Sequence, residues 1–310
     1  MLHIRVVTAP DRTGLLLDRL DGLPGVRNLV VLEGAARDPH GDAVFFDVDY
    51  AAANPVFRAL RGLGLDHDGV ITVEQVDASL TDTVGTGGVI GSPARELAPI
   101  WEMVEATIRA GATYSPSFFL LLALAALIGA VGILTNSQIL VVGAMVVGPE
   151  YGAIIAVALG INKGNRAAVR DGLLALVAGF SAAIALTLAF GVAVRAAGRV
   201  PQLFLHGVRP VSDLINSPNL FSVVVAILAG IVGVVALTQS RAGALVGVFI
   251  SVTTIPAAAD IGVSAAVGSW HEAGGSALQL LLNVVLLIVV GAAGLSAQRA
   301  IWRWRGTRLP

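Results

Sequence analysis

A helix that crosses a bilayer needs about 20 apolar residues, and six segments of this chain reach that length: 116–135, 137–161, 172–194, 219–237, 242–267 and 276–298. The chain has 310 residues, 55% of them hydrophobic and 13% charged, with a mean hydropathy of +0.81. A soluble domain carries about 25% charged residues, so this composition reads as an integral membrane protein. The charge is unevenly spread. Residues 1–112 hold most of the Asp and Glu, and residues 113–310 are nearly free of them. That partition predicts a soluble domain over 1–80, a linker and interfacial amphipathic helix over 81–112, and a six-span membrane domain over 113–305.

Positive charge orients the spans. Arg95, Arg109, Lys163, Arg166, Arg170, Arg241, Arg299, Arg303, Arg305 and Arg308 fall on one side, and Arg195, Arg199 and Arg209 on the other. The positive-inside bias then predicts a multi-pass protein of the cell (bacterial inner) membrane with both termini cytoplasmic. The N-terminus lacks the order of a signal peptide, so the first domain is expected to stay in the cytoplasm. Trp302 and Trp304 suit an interface belt. The outer loop, 196–218, has an apolar centre at Leu203, Phe204 and Leu205 that suits a return into the membrane.

Several chemistries are disfavoured at once. Cysteine is absent, which removes disulfides and thiolate chemistry. His3, His40, His67, His206 and His271 are scattered, with no paired metal spacing. No phosphate loop, nucleophile elbow or Ser-His-acid order stands out. The net charge of −1 does not point to nucleic acid. The chain is therefore expected to be no enzyme, with no cofactor and no metal centre.

The soluble part alternates like strands at 2–8, 26–33, 42–49 and 69–76, with helices over 11–20 and 55–63. The order β-α-β-β-α-β predicts a ferredoxin-like α+β domain. The turn Ala9-Pro-Asp-Arg-Thr-Gly-Leu-Leu16 resembles the strand-to-helix turn of ACT domains. That resemblance implies regulatory ligand binding at Asp11, Arg12, Thr13 and Gly14. The other reading is that the turn only caps a helix. Residues 95–109 have helical apolar spacing at Leu97, Ile100, Trp101, Val104 and Ile108. They predict a helix lying on the membrane surface, against the soluble domain or against a partner helix.

Within the second span, Gly148-Pro149-Glu150 places a helix breaker beside a carboxylate at membrane depth. Proline removes a helix hydrogen bond, and an intramembrane acid is a functional candidate by default. A second such place follows at Pro256 and Asp260. Residues 128–137 (IGAVGILTNS) echo residues 231–240 (IVGVVALTQS), and each span is introduced by Ser-Pro, at Ser115-Pro116 and Ser217-Pro218. Three spans per unit predict a 3+3 inverted repeat whose proline-broken helices meet at a midplane site.

Leu134-Thr-Asn-Ser137, Val142-Gly-Ala-Met145, Gly148-Pro-Glu-Tyr-Gly152, Gly243-Ala-Leu-Val-Gly247 and Ile255-Pro-Ala-Ala258 resemble the hydrophobic proteins grouped as the domain of unknown function 389. The resemblance covers residues 110–270 and implies a multi-span bacterial membrane protein without an assigned activity. Many members carry Ser-Pro-Leu-Met where this chain has Gly148-Pro149-Glu150-Tyr151, so the proline is the shared element and the acid a departure.

These features predict a transporter or channel-like permeation protein for a small ion or solute. The expected ion-binding residues are Asn136, Ser137, Pro149, Glu150, Tyr151, Gln239, Ser240, Thr253, Thr254, Pro256, Asp260 and Asn283. The competing roles are turn chemistry for Asn136 and Ser137, hydroxyl bonds to helix carbonyls for the threonines, and an ion pair with Arg241 for Glu150. Gly129, Gly132, Gly230, Gly233, Gly243 and Gly247 are expected to permit close helix packing. The alternative function is a membrane-anchored sensor or scaffold whose ACT-like domain binds a small metabolite. The expected partners are the lipid bilayer and further copies of the chain, as a dimer or trimer.

Overall fold

The structure, a computed structural model, describes residues 1–65, 69–76, 101–238 and 253–306. The chain divides into two compact units, Met1–Val104 and Glu105–Pro310. The expected linker and the start of the helix at Arg95 lie outside the described residues, as do Gln239, Ser240, Arg241, Gly243 and Gly247. The side chains of Trp302 and Trp304 lie outside them too.

The first unit has the element order β1 (Leu2–Thr8), α1 (Pro10–Asp21), β2 (Val26–Arg37), β3 (His40–Val48), α2 (Tyr50–Gly62), β4 (Val70–Gln75). Its sheet is antiparallel with strand order β2-β3-β1-β4, the topology of the ferredoxin-like split unit. Alternation decides which face is covered. Leu2, Ile4 and Val6 of β1 and Val44, Phe46 and Val48 of β3 are buried with Leu16 and Leu20 of α1 and Val56 and Leu60 of α2. The β2–β3 hairpin is longer than alternation suggested, because the strands extend to Arg37 and His40 and leave only Asp38-Pro39 at the turn. Helix α2 begins at Tyr50 rather than at Pro55, which sits inside it. Asp49 in an extended conformation starts that helix, five residues ahead of where the proline pattern placed it.

From Trp101, just ahead of the second unit, the described elements are helices: α3 (Trp101–Gly111), α4 (Pro116–Leu134), α5 (Gln138–Val147), α6 (Glu150–Lys163), α7 (Arg166–Ala196), α8 (Gln202–Leu205), α9 (Pro210–Asn216), α10 (Leu220–Thr238), α11 (Thr254–Ala266) and α12 (Trp270–Gly306). The termini follow local chemistry. Pro116 opens α4 at the first helical position, where its missing N–H costs nothing. Gly164, at φ 66°, ends α6 in the left-handed conformation that glycine adopts freely. The Asn165 side chain then accepts from Ala168 N at 3.1 Å and caps α7.

Among the described residues four helices are long and apolar enough to cross a membrane: α4, α7, α10 and α12. The pair α5–α6 makes a fifth if its 50° bend is one broken span. Leu120, Leu174, Val177, Leu228 and Val289 stay exposed on these helices, as lipid-facing residues do. The unit is thus a membrane-embedded helix bundle. The sixth expected span, 242–267, is described only over its second half, as α11.

Contacts between helices follow a pattern. Helix α4 packs on α7, and α10 on α12; α6 lies against both long helices α7 and α12, and so does α11. Small residues allow the closest approaches. A Cβ on Gly129 would meet Ala259, one on Gly132 Val141, one on Gly230 Val290, and one on Gly233 the Tyr151 hydroxyl. Helix α3 packs against α6. Its Glu105 bonds Lys163 at the end of α6, and its Gly111 abuts Gly152 near the start of α6.

Candidate functional site at the helix breaks

The break in α5–α6 is built from Gly148 and Pro149. Gly148 closes α5 in an extended conformation (φ −70°, ψ 135°), and Pro149 is the residue before α6. Glu150 is the first residue of α6, so its charge lies at the positive end of the helix dipole. The carboxylate is buried, and Thr254 donates its hydroxyl to Oε1 at 2.7 Å. The carboxylate also lies beside its own backbone N–H. Oε2 is buried without a hydrogen-bond partner among the described residues.

Thr254 is the first residue of α11, so the bond joins the starts of two helices. Pro256 lies in the first turn of α11, where a proline does not interrupt the hydrogen-bond ladder. The part of the expected span that precedes Thr253, on the other side of the break expected at Pro256, lies outside the described residues. Gly148 completes the junction. A Cβ there would collide with Ile255 Cδ1 and with Glu150 Oε2, so the backbone approach requires glycine.

A hydrogen-bonded chain extends from the junction to α12. Asn283 Nδ2 donates to Thr253 Oγ1 at 3.1 Å, and Gln279 Nε2 donates to Asn283 Oδ1 at 3.1 Å. All four residues Thr254, Gln279, Asn283 and Glu150 are at most 6% exposed. Gln279 Oε1, like Glu150 Oε2, is buried without a partner among the described residues.

Asp260 occupies a different environment. It is fully buried, and three serine hydroxyls donate to it: Ser212 at 2.7 Å and Ser264 at 3.3 Å to Oδ1, and Ser276 at 2.6 Å to Oδ2. Ser212 belongs to α9, in the loop expected to return into the membrane. The loop is packed inward, with Phe204 and Ser212 fully buried. Arg209 lies 4.4 Å over the Phe204 ring, donates to Phe204 O and Ser269 Oγ, each at 2.7 Å, and acts electrostatically on Asp260. Arg209 Nη1 is also 3.9 Å from Glu272.

The remaining expected residues divide. Tyr151 is buried with its hydroxyl against Gly233 of α10, adjacent to the junction. Asn136 and Ser137 lie at the α4–α5 turn, about 15 Å of helix rise away from Pro149 along ten residues of α5. Asn136 adopts φ 51°, which asparagine tolerates, and Ser137 caps α5 by accepting from Leu140 N at 3.4 Å. The Asn136 backbone and the Ser137 side chain thus serve the turn, while Asn136 Oδ1 is buried without a partner among the described residues. Gln239 and Ser240 lie outside the described residues.

In the first unit, Thr13 donates to Asp42 Oδ2 at 2.7 Å, and Arg12 donates to Leu63 O at 3.2 Å. Asp42 Oδ1 accepts from Gly34 N at 2.7 Å. These bonds hold the Asp42 carboxyl below the ordinary aspartate range, the Thr13 hydroxyl having the larger effect. Asp11 is exposed, and the space beside the Gly14 Cα is open. Thr13 and Arg12 thus tie the turn to β3 and to the end of α2.

Ser212, Ser264, Ser276, Gln279 and Arg209 did not stand out in the sequence. Their signal was spacing: Ser276, Gln279 and Asn283 share one face of α12, and Asp260 and Ser264 are one turn apart on α11.

Residues 145–289 match the family model described as Domain of unknown function (DUF389). The matched stretch begins just before Gly148 and includes Glu150, Thr253, Thr254, Asp260 and Asn283, and it runs beyond the 270 that the resemblance reached. No curated protein and no solved structure matches the chain.

Proposed function

The chain belongs to the DUF389 family, and from that premise we propose that it is a transporter or channel-like permeation protein for a small ion or solute. The observation that carries the reading is the Thr254–Glu150 bond. A carboxylate kept at membrane depth, with one oxygen unsatisfied, is costly unless it serves a cavity or a partner. Here it stands where two helix starts meet, which is where transporters with broken helices bind their cargo.

The packing supports a 3+3 inverted repeat. In this reading α4, α5–α6 and α7 form one copy, and α10, the span ending in α11, and α12 form the other. Helices α6 and α11 each lie against both long helices, and α11 packs on α4 as well. The two 19-residue helices α4 and α10 also end alike. Thr135 donates to Val131 O and Thr238 to Val234 O, each one turn back. Six spans, a cell-membrane location with cytoplasmic termini, and assembly into a dimer or trimer complete the proposal, with the ferredoxin-like domain as a regulator.

The test is flux through vesicles containing the full chain, assayed against a panel of alkali cations, protons and small solutes. Expected is a flux that Glu150→Gln reduces by about tenfold or more. A folded protein with no flux for any member of the panel, or with flux untouched by Glu150→Gln, would refute the assignment.

A further inference from the structure

We propose that the junction binds one dehydrated alkali cation of sodium size, held by Glu150 Oε2 and Gln279 Oε1 with the oxygens of Thr253, Thr254 and Asn283. The inference deepens the permeation reading, on which it rests for its place in the fold.

Glu150 Oε2 and Gln279 Oε1 have no donor among the described residues. Each belongs to one of two hydrogen-bonded groups, Glu150–Thr254 and Thr253–Asn283–Gln279, which the neighbouring residues Thr253 and Thr254 bring together at the start of α11. A buried acceptor left unsatisfied costs about 1–3 kcal/mol, so two in adjoining groups call for a ligand that supplies positive charge. The remaining members add oxygen. Each threonine hydroxyl keeps lone pairs after its own bond, and so does the Asn283 carbonyl. Oxygen-only surroundings select a hard cation.

Charge sets the valence. One carboxylate faces this cluster. The next acid on α11, Asp260, is six residues on, about 9 Å of helix rise, and its two oxygens already accept three serine hydroxyls. No group of three or more His, Asp or Glu converges among the described residues. One negative charge balances a monovalent ion and leaves a divalent ion half neutralised in a medium of low dielectric. A proton satisfies the cluster less well than a metal cation. On Oε2 it could be donated to at most one further acceptor, whereas a cation draws on all the oxygens of the cluster at once. An anion is opposed by the carboxylate itself.

The two acids therefore do different work. Asp260 is satisfied within the protein and anchors α9 and α12, while Glu150 is the unsatisfied one.

The experiment is equilibrium binding of radiolabelled Na+ to the full chain purified in detergent, with Li+, K+ and Ca2+ as competitors and the Na+-induced shift in melting temperature as a second readout. Expected is saturable binding of one Na+ per chain, displaced by Li+ or K+ more readily than by Ca2+. Glu150→Gln and Gln279→Met should each weaken it by about tenfold or more. Should Glu150→Gln fail to fold, Gln279→Met carries the test, since it leaves the carboxylate in place. Absence of saturable alkali-cation binding overturns the proposal. So does binding that both folded variants retain, or tighter binding of Ca2+ than of Na+. Na+ binding without flux in vesicles refutes permeation and leaves the cation site standing; flux without Na+ binding refutes the cation and leaves permeation standing.

Discussion

Thr254 donates its hydroxyl to Glu150 Oε1 at 2.7 Å, across 104 residues of chain, and so joins the first residue of α11 to the first residue of α6. The bond is buried at both ends. Thr254→Val keeps the shape and removes the donor, leaving the carboxylate oxygen unsatisfied. It should lower stability by about 1–3 kcal/mol. In a Glu150→Leu background the same substitution should cost less, because there is no acceptor left to strand. Unfolding of the four proteins in detergent gives the coupling energy, expected at about 0.5–3 kcal/mol. Additive effects would mean that the bond contributes nothing.

Gly148 tests the closeness of the same junction. A Cβ there would strike Ile255 Cδ1 and Glu150 Oε2, while its φ of −70° suits any residue. The obstacle is therefore steric and not conformational. Gly148→Ala should destabilise by about 1–3 kcal/mol through overpacking. Ile255→Val removes the colliding methyl and should restore part of that loss in the double variant. Melting temperatures of the two single variants and the double variant decide it. A double variant less stable than the sum of the single effects would place the collision elsewhere.

Asp42 gives the first unit a predictable acid response. Its carboxyl titrates below the ordinary value of 3.8, held there first by the Thr13 hydroxyl and then by the Gly34 N–H. Because the folded value is depressed, the stabilisation is complete above the ordinary value and is lost as pH falls through the folded one. Amide exchange of β3 and of the start of α1, corrected for intrinsic rates, should show protection falling as pH drops below 3.8. Asp42→Asn should flatten that fall and lower protection at neutral pH. An unchanged acid profile in the variant would assign the response to another carboxylate.

The ferredoxin-like unit was legible because its signals are local. Alternation in Leu2–Thr8 and His40–Val48 and the turn at Asp38-Pro39 fix strand identity before any tertiary contact forms. The apolar helices were legible for the same reason: length and hydropathy alone decide them. The junction was only half legible. Pro149 and Glu150 announce a break, but nothing local says that Thr254 rather than Pro256 is the residue that meets them. That depends on how α11 enters the bundle. Asp260 shows the same limit. Its serines come from α9, α11 and α12, and no spacing in the sequence brings Ser212 to it. Asn136 and Ser137 carry the residue types of an ion site, yet the positive φ of Asn136 and the cap at Ser137 use them in a turn.

Glu105 clamps one end of the bundle. It bonds Lys163 at the last turn of α6 and Arg299 Nη2 of α12 at 2.8 Å. Asn162 adds a neutral clasp, donating to Ala292 O at 2.9 Å and accepting from Ser296 Oγ at 2.9 Å. Glu105→Ala would leave two cations facing each other with their shared anion gone. It should cost about 1–3 kcal/mol, with part of the loss recovered at high salt as the repulsion is screened. Thermal unfolding at low and high salt measures both. A loss that salt leaves untouched would point to packing of α3 rather than to charge.

Ser212 makes the inward-packed loop a reporter on Asp260. Its hydroxyl donates to Asp260 Oδ1 at 2.7 Å and accepts from Asn216 Nδ2 at 3.4 Å, so one side chain fastens α9 to α11. Ser212→Ala removes that fastening but leaves Asp260 its bonds from Ser264 and Ser276. The carboxylate therefore keeps two donors, and the effect should be concentrated in α8 and α9. A hydrogen bond to a charged group contributes about 1.5–3 kcal/mol, which sets the expected rise in local opening. Amide exchange over Gln202–Leu205 and Pro210–Asn216 should accelerate by roughly tenfold to a hundredfold, with α11 and α12 little changed. Ser276→Ala should give the contrary pattern, loosening the start of α12, because Ser276 is the sole hydroxyl donor to Oδ2 among the described residues. Equal acceleration of all these segments in both variants would show that the three serines act as one cage and not as separate fasteners.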